Sequence, residues 1–285
     1  MRMRSLGVGV VFLATLAIAA PAAAQRFAFE RNYTVGPSPV IDVSTARGKI
    51  NIRTGEAGRV SVTGAATVRI GLMGPSNAVE LARKVAANPP IEQSGDRVRL
   101  HSPLDPDESR AMTVNYDLRV PPNARVIAVS DSGAIEIRDV AGHVEVRTQS
   151  SAISLMSLGS ADVETGSGAV RLDGASGAIR ISTSSSGITA RDLRGGLRSR
   201  TESGRTILSG SPSDQWDVSA GSGSIEVDLY APANATLHAT TGSGSVETRE
   251  RMVKGSIEKR RVEGAIGEGG PVVRLASRSG SIRVR

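Results

Sequence analysis

The chain has 285 residues, with 35 Lys or Arg against 28 Asp or Glu and a formal charge of +7. It holds 32 glycines, three Phe, three Tyr, one Trp and no cysteine. These counts exclude a disulfide framework, a thiolate metal centre and a porin-like barrel with aromatic girdles, while 39% hydrophobic residues can fill a core.

Residues 1–24 read as a cleaved bacterial signal peptide. Arg2 and Arg4 form a positive start, residues 6–20 are apolar and uncharged, and Ala22, Ala23 and Ala24 give a small-residue cleavage site before Gln25. The apolar run is shorter than the roughly 20 residues needed to span a bilayer, and the absence of cysteine excludes a lipoprotein anchor. The expected location is the periplasm, the cell surface or the medium, with no transmembrane span after cleavage. Without Arg2 and Arg4 the basic count is 33 against 28, an excess of about five. That modest excess, interleaved with acids and short of aromatics, argues against nucleic acid as a partner.

Residues 25–128 are strand-rich. Ile50-Asn51-Ile52 and Val60-Ser61-Val62 alternate. Residues 76–87 read as the one helix of the mature chain, stopped by Asn88-Pro89-Pro90. It is a candidate cap for the stack that follows. The acidic run Asp105-Pro106-Asp107-Glu108 lacks the spacing of a calcium loop and reads as a solvated turn. Residues 114–120 alternate again and end at Pro121-Pro122.

Residues 129–248 repeat. A tetrad of the form Thr/Ser/Ala-x-Ser-Gly returns at Gly133, Ser151, Gly168, Gly187, Gly204, Gly223 and Gly244. Six intervals cover 244 − 133 = 111 residues, a mean of 18.5. An alternating run such as Ile135-Glu136-Ile137 or Ile225-Glu226-Val227 follows most tetrads. A second run builds the apolar columns Val144, Ala161, Ile179, Leu197, Trp216, Leu237 and Val146, Val163, Ile181, Ser199, Val218, Ala239. A unit this short cannot bury its own apolar face, so the units must stack. The fold class is all-β: a parallel β-solenoid (β-helix) of rungs about 18 residues long, with one short helix near its N-terminal cap. Glycine and serine mark the corners. Six to nine rungs would make a rod of roughly 30–45 Å. An antiparallel sandwich explains the turns but not the return of one residue type every 18 positions rather than every nine.

Residues 249–285 hold a basic interruption and a final rung. Arg249, Arg251, Lys254, Lys259, Arg260 and Arg261 form the candidate surface contact. The Gly-rich run 264–270 reads as a tight connection into the last rung, since no strand–loop–helix context for phosphate binding surrounds it.

No catalytic, cofactor or metal site emerges. There is no Gly-x-Ser-x-Gly elbow. His143 and His238 fall at outward phase, and Glu136, Glu226 and Glu247 alternate in sign with arginines rather than cluster. The strand Val114–Val120 running into Pro121, the Ser-Gly-x-Ile rungs, residues 221–229, and Ile266 to Gly270 followed by Ser279-Gly280-Ser281-Ile282 carry a resemblance. Over most of residues 40–285 the chain resembles the bacterial putative-adhesin family, a domain of unknown function with a β-solenoid fold. It departs at Ser151, where a corner glycine is expected, and at residues 249–263. The resemblance implies a non-catalytic cell-envelope protein, and no functional residues transfer with it; the signal, the solenoid and the lack of a site point to a module that binds an envelope polymer, an anionic surface or a protein partner. The alternatives are a glycan-active β-helix enzyme acting through Glu226 or Asp228, and a scaffold that self-associates through an exposed edge.

Overall fold

The structure is a computed structural model and describes residues 24–69, 77–101, 112–249 and 253–285. The signal, Ala24 excepted, the acidic run 105–108 and Arg251 lie outside the described residues. Alternation at period two gives strands with one buried face, and here those strands stack into ten rungs between two facing sheets. Each rung gives one strand to sheet 1, which has 12 strands, and one to sheet 2, which has 13. The solenoid expectation is met, with more rungs than the tetrads alone suggested.

Rungs 3 to 8 follow the chain: Arg125–Ser130 with Ile135–Arg138, His143–Thr148 with Ile153–Leu158, Ser160–Thr165 with Val170–Ala175, Ile179–Thr183 with Ile188–Leu193, Leu197–Thr201 with Thr206–Gly210, and Trp216–Ala220 with Ile225–Leu229. All are parallel, and in register but for one irregularity between Ala190 and Leu193 where Ile188–Leu193 pairs with Thr206–Gly210. The ends do not follow the chain. Rung 2 is Val40–Thr45 with Ile50–Thr54, and it lies between rung 3 and rung 1, which is Arg97–Leu100 with Met112–Val120. Rung 9 is Val272–Ser279 with Ile282–Val284, inserted between rung 8 and rung 10, which is Ala235–Ser243 with Val246–Thr248. The apolar column therefore runs Leu197, Trp216, Val273, Leu237.

The corner after each sheet 2 strand explains the tetrad. Its first residue points inward, and at Ser130 and Thr165 its hydroxyl holds the turn, whereas Thr148 and Thr183 make no such bond and Ala220 has no hydroxyl. Ser130 Oγ accepts from the Gly133 N–H at 2.8 Å and Thr165 Oγ1 from the Gly168 N–H at 3.0 Å. At the far end Ser277 Oγ and Thr241 Oγ1 instead donate to the carbonyls of Gly223 and Gly280, at 3.0 and 2.7 Å. The fourth residue is glycine because the neighbouring rung occupies the space of a Cβ. At Gly133 a Cβ would meet the Gly48 carbonyl oxygen, at Gly168 that of Ser151, at Gly223 that of Gly204, and at Gly280 that of Gly223. Ser151 stands in this column, buried.

The other corner carries a second device. Asp139, Ser157, Gly174 and Asp192, on four successive rungs, all have left-handed backbone, with φ of 60°, 54°, 83° and 53°. Asp, Ser and Gly are side chains small or polar enough to accept it. The core between the sheets is Ile, Val and Leu. Trp216 is fully buried because its Nε1–H finds the Gly195 carbonyl at 2.9 Å.

Both ends are closed. At the first rung, strands Arg59–Arg69 and Ala24–Thr34 add antiparallel to sheet 1, and Ile91–Ser94 to sheet 2. The expected helix is Ala78–Ala87, its buried Ala78, Ala82 and Val85 spaced for one face. It packs on those two added strands. At the tenth rung the basic interruption forms an antiparallel hairpin, Val253–Glu258 and Arg261–Ile266, on sheet 2. Gly267 (φ 59°) and Gly269 (φ 78°) then turn the chain past Asn234 toward rung 9, the tight connection anticipated for this run.

Gly168→Ala is expected to cost about 1–3 kcal/mol, because the methyl meets backbone rather than a mobile side chain. Ser157→Gly is expected to gain about 0.5–1 kcal/mol by relieving left-handed strain, while Ser157→Ala gains nothing. Denaturant midpoints of the three variants check both.

Candidate functional site

A parallel stack leaves its outward side chains in columns along the solenoid axis, one per rung. On sheet 2 the first outward column reads Asp42, Ile127, Glu145, Asp162, Arg180, Arg198, Asp217, Arg274, His238, Glu263 from rung 2 to the closing hairpin. Most of its charges are matched. Asp42 pairs with Arg99 at 3.3 Å, Glu145 with Arg147 at 2.6 Å, Asp162 with Arg180 at 3.3 Å and Asp217 with Arg274 at 3.0 Å. The second outward column is shorter in side chain: Ser182, Arg200, Ser219 and Ala276 on rungs 6 to 9.

Small residues in one column beside arginines in the next make a trough of about 600 Å³, lined by Arg180, Ser182, Arg198, Arg200, Ser219 and Arg274 among others. Arg198 and Arg200 are exposed and have no carboxylate within 4.0 Å among the described residues. This is a concentration of positive charge on a rigid, otherwise balanced face. Guanidinium groups here are suited to bidentate contact with carboxylate, sulfate or phosphate.

Arg251 apart, which lies outside the described residues, the residues proposed on sequence sit elsewhere and are spread along the closing hairpin and the strand end before it. Arg249 is 4.0 Å from Asp228. Lys254 is exposed on the outer hairpin strand, four residues from that strand's end and so about 13 Å away. Lys259 and Arg260 form the hairpin turn, and Arg261 pairs with Glu263 at 2.8 Å. What the turn contributes is backbone. The Lys259 and Arg260 carbonyls accept from the Val246 and Thr241 N–H groups, both at 2.9 Å, and close the tenth rung. The trough was within reach of sequence only in part. Arg180 and Arg198 are one period apart, but Arg274 joins them only because its rung is inserted next to rung 8.

Four outward glutamates are held toward their charged form by neighbouring cations. Glu226 is held below the usual carboxylate range by its hydrogen bond from Arg205 at 2.5 Å, with Arg285 at 2.9 Å also lowering it. Glu136 is lowered by hydrogen bonds from Lys49 and Arg138, Glu247 by Arg283, and Glu263 by Arg261. A general acid for glycoside cleavage requires the opposite shift.

One constellation has catalytic parts. His143 Nδ1 lies 2.9 Å from Ser160 Oγ, and its Nε2 lies 3.7 Å from Asp162. Asp162 is shared with Arg180, and the Ala161 N–H beside Ser160 is spent on the Ala178 carbonyl. The ladder thus consumes an amide that an oxyanion hole would need. No group of three or more metal-binding side chains occurs among the described residues. No helix among them is long and apolar enough to cross a membrane.

Comparison with known proteins bears on the fold and not on a ligand. No curated protein matches the chain. A putative cell adhesion protein from Clostridium sporogenes is 13% identical with a TM-score of 0.26, covering 90% of this chain and 98% of that one. A putative adhesin from Bacteroides fragilis is 14% identical with a TM-score of 0.42, covering 90% and 97%. The family model described as Toastrack DUF4097 matches residues 108–285, which takes in rungs 3 to 10 and the closing hairpin. On that match the chain belongs to the Toastrack DUF4097 family.

Proposed function

We propose that this protein is a non-catalytic cell-envelope interaction module, and that its contact face is the outer face of sheet 2. The observation that carries the reading is the pair Arg198 and Arg200, uncompensated at the centre of a trough that Arg180 and Arg274 flank. The partner is an anionic envelope component. The rungs hold the arginines on strands rather than on loops, so little ordering is lost on binding. The signal read in residues 1–24 supports an extracytoplasmic address, and the lowered carboxyls support the absence of acid–base chemistry. The hairpin cations, including Lys254, Lys259 and Arg260, are a second and more peripheral contact.

Retention of the mature protein on a carboxylated or sulfated matrix is expected to fall as salt rises, because exposed charges are screened. The double variant Arg198→Glu, Arg200→Glu is expected to lose about tenfold in affinity, with unchanged circular dichroism. Arg260→Glu is expected to change it by less than about twofold. Equal retention of the double variant and the parent would sink the reading.

A further inference from the structure

The trough does not end at rung 6. A second depression of about 600 Å³ lies along the same face, lined by Val129, Arg147, Glu164 and Ser182 among others. Ser182 lines both depressions. Their outward column is continuous through the register Val129, Arg147, Glu164, Ser182, Arg200, Ser219, Ala276, from rung 3 to rung 9. Six strand spacings make that run about 29 Å long. It lies parallel to the solenoid axis, across the strands.

The two halves differ in charge. Toward rung 9 lie Arg198 and Arg200. Toward rung 3, Arg147 is paired with Glu145 at 2.6 Å and with Glu164 at 3.5 Å, and Asp131 also lines the depression. A uniform polyanion such as nucleic acid or polyphosphate would place charge against Glu164 and Asp131. A flat membrane surface would not enter a trough. The floor offers serine hydroxyls at Ser182 and Ser219 and no aromatic platform for stacking bases.

We infer that the trough binds an extended acidic polysaccharide along the solenoid axis, with acidic sugars at Arg198 and Arg200 and uncharged sugars toward Arg147 and Glu164. This rests on the anionic reading above and adds the class of ligand, its direction and its length. Strand spacing near 4.8 Å is close to the advance of an extended pyranose chain per residue, so successive sugars meet successive rungs.

The experiment is calorimetric titration of the mature protein with β-1,4-linked glucose oligosaccharides of four and ten sugars that carry glucuronic acid at one end and are neutral along the rest. Binding of the ten-sugar chain is expected to be at least about tenfold tighter than that of the four-sugar chain. Ser182→Trp, which places a bulky side chain where the two halves meet, is expected to weaken ten-sugar binding at least about tenfold, and unchanged ten-sugar affinity in this variant overturns the elongated site. Equal affinity for the two lengths in the parent overturns the elongated site while leaving an anionic face intact. Binding to polyglutamate or to vesicles of anionic lipid, with no binding to either oligosaccharide, overturns the polysaccharide class alone. Absence of binding to every anionic probe overturns the anionic reading itself.

Discussion

Each rung must sit directly on its neighbour at strand spacing, at the corners as well as along the strands. In the strands the hydrogen-bond ladder enforces this. At the corner after sheet 2 the carbonyl of one rung takes the place of the side chain of the next, as Gly48 does to Gly133 and Gly204 to Gly223. The hydroxyl three residues earlier holds the amide of that glycine, at Ser130 and Thr165. One tetrad thus satisfies a polar group and clears a steric path together. The flat, regular faces follow from it, because a corner that stood proud would push the rungs apart.

Regular faces put chemistry under a particular discipline. An outward side chain has its neighbours one rung above and below in the same column, so charges are answered along the axis. Asp217 with Arg274 and Arg283 with Glu247 show the ordinary outcome, a ladder that sums to little. Exposed pairs of this kind are worth little to stability. They matter by what they leave over. Arg198 stands between Arg180, a like-charged neighbour, and Asp217, which pairs instead with Arg274 at 3.0 Å, and Arg200 has serines on either side. Both columns carry unanswered charge at the same rung.

Much of this was legible in the sequence and some of it could not be. The period, the corners, the inward columns through Val144, Ala161, Ile179 and Leu197 and the short helix are all local or strictly periodic, and the residue pattern carries them. Ser151 reads as a departure from the tetrad, yet it keeps its place because the ladder on both sides fixes the register. The left-handed column at Asp139, Ser157, Gly174 and Asp192 was visible only as a scatter of small and polar residues. What periodicity does not encode is the order of rungs at the ends. Nothing in residues 272–284 marks them as the neighbours of Trp216 rather than of Leu237 alone, since both surfaces offer the same ladder. The basic run 249–261 stands out by charge, but its backbone closes the stack while arginines spread over separate periods make the trough.

The placement of rungs 2 and 9 has a mechanical consequence. In a simple stack the outermost strand has one neighbour and peels away one bond at a time when the chain is pulled. Here a force applied near residue 285 loads strands paired on both edges, Val272–Ser279 between Trp216–Ala220 and Ala235–Ser243, and Ile282–Val284 between Ile225–Leu229 and Val246–Thr248. At the other end, Val40–Thr45 is gripped by Arg97–Leu100 and Arg125–Ser130, but Ala24–Thr34 precedes it as an edge strand paired only with Arg59–Arg69. Extraction from the C-terminal side must shear two ladders together, so the stack resists tension applied there better than its number of rungs would suggest.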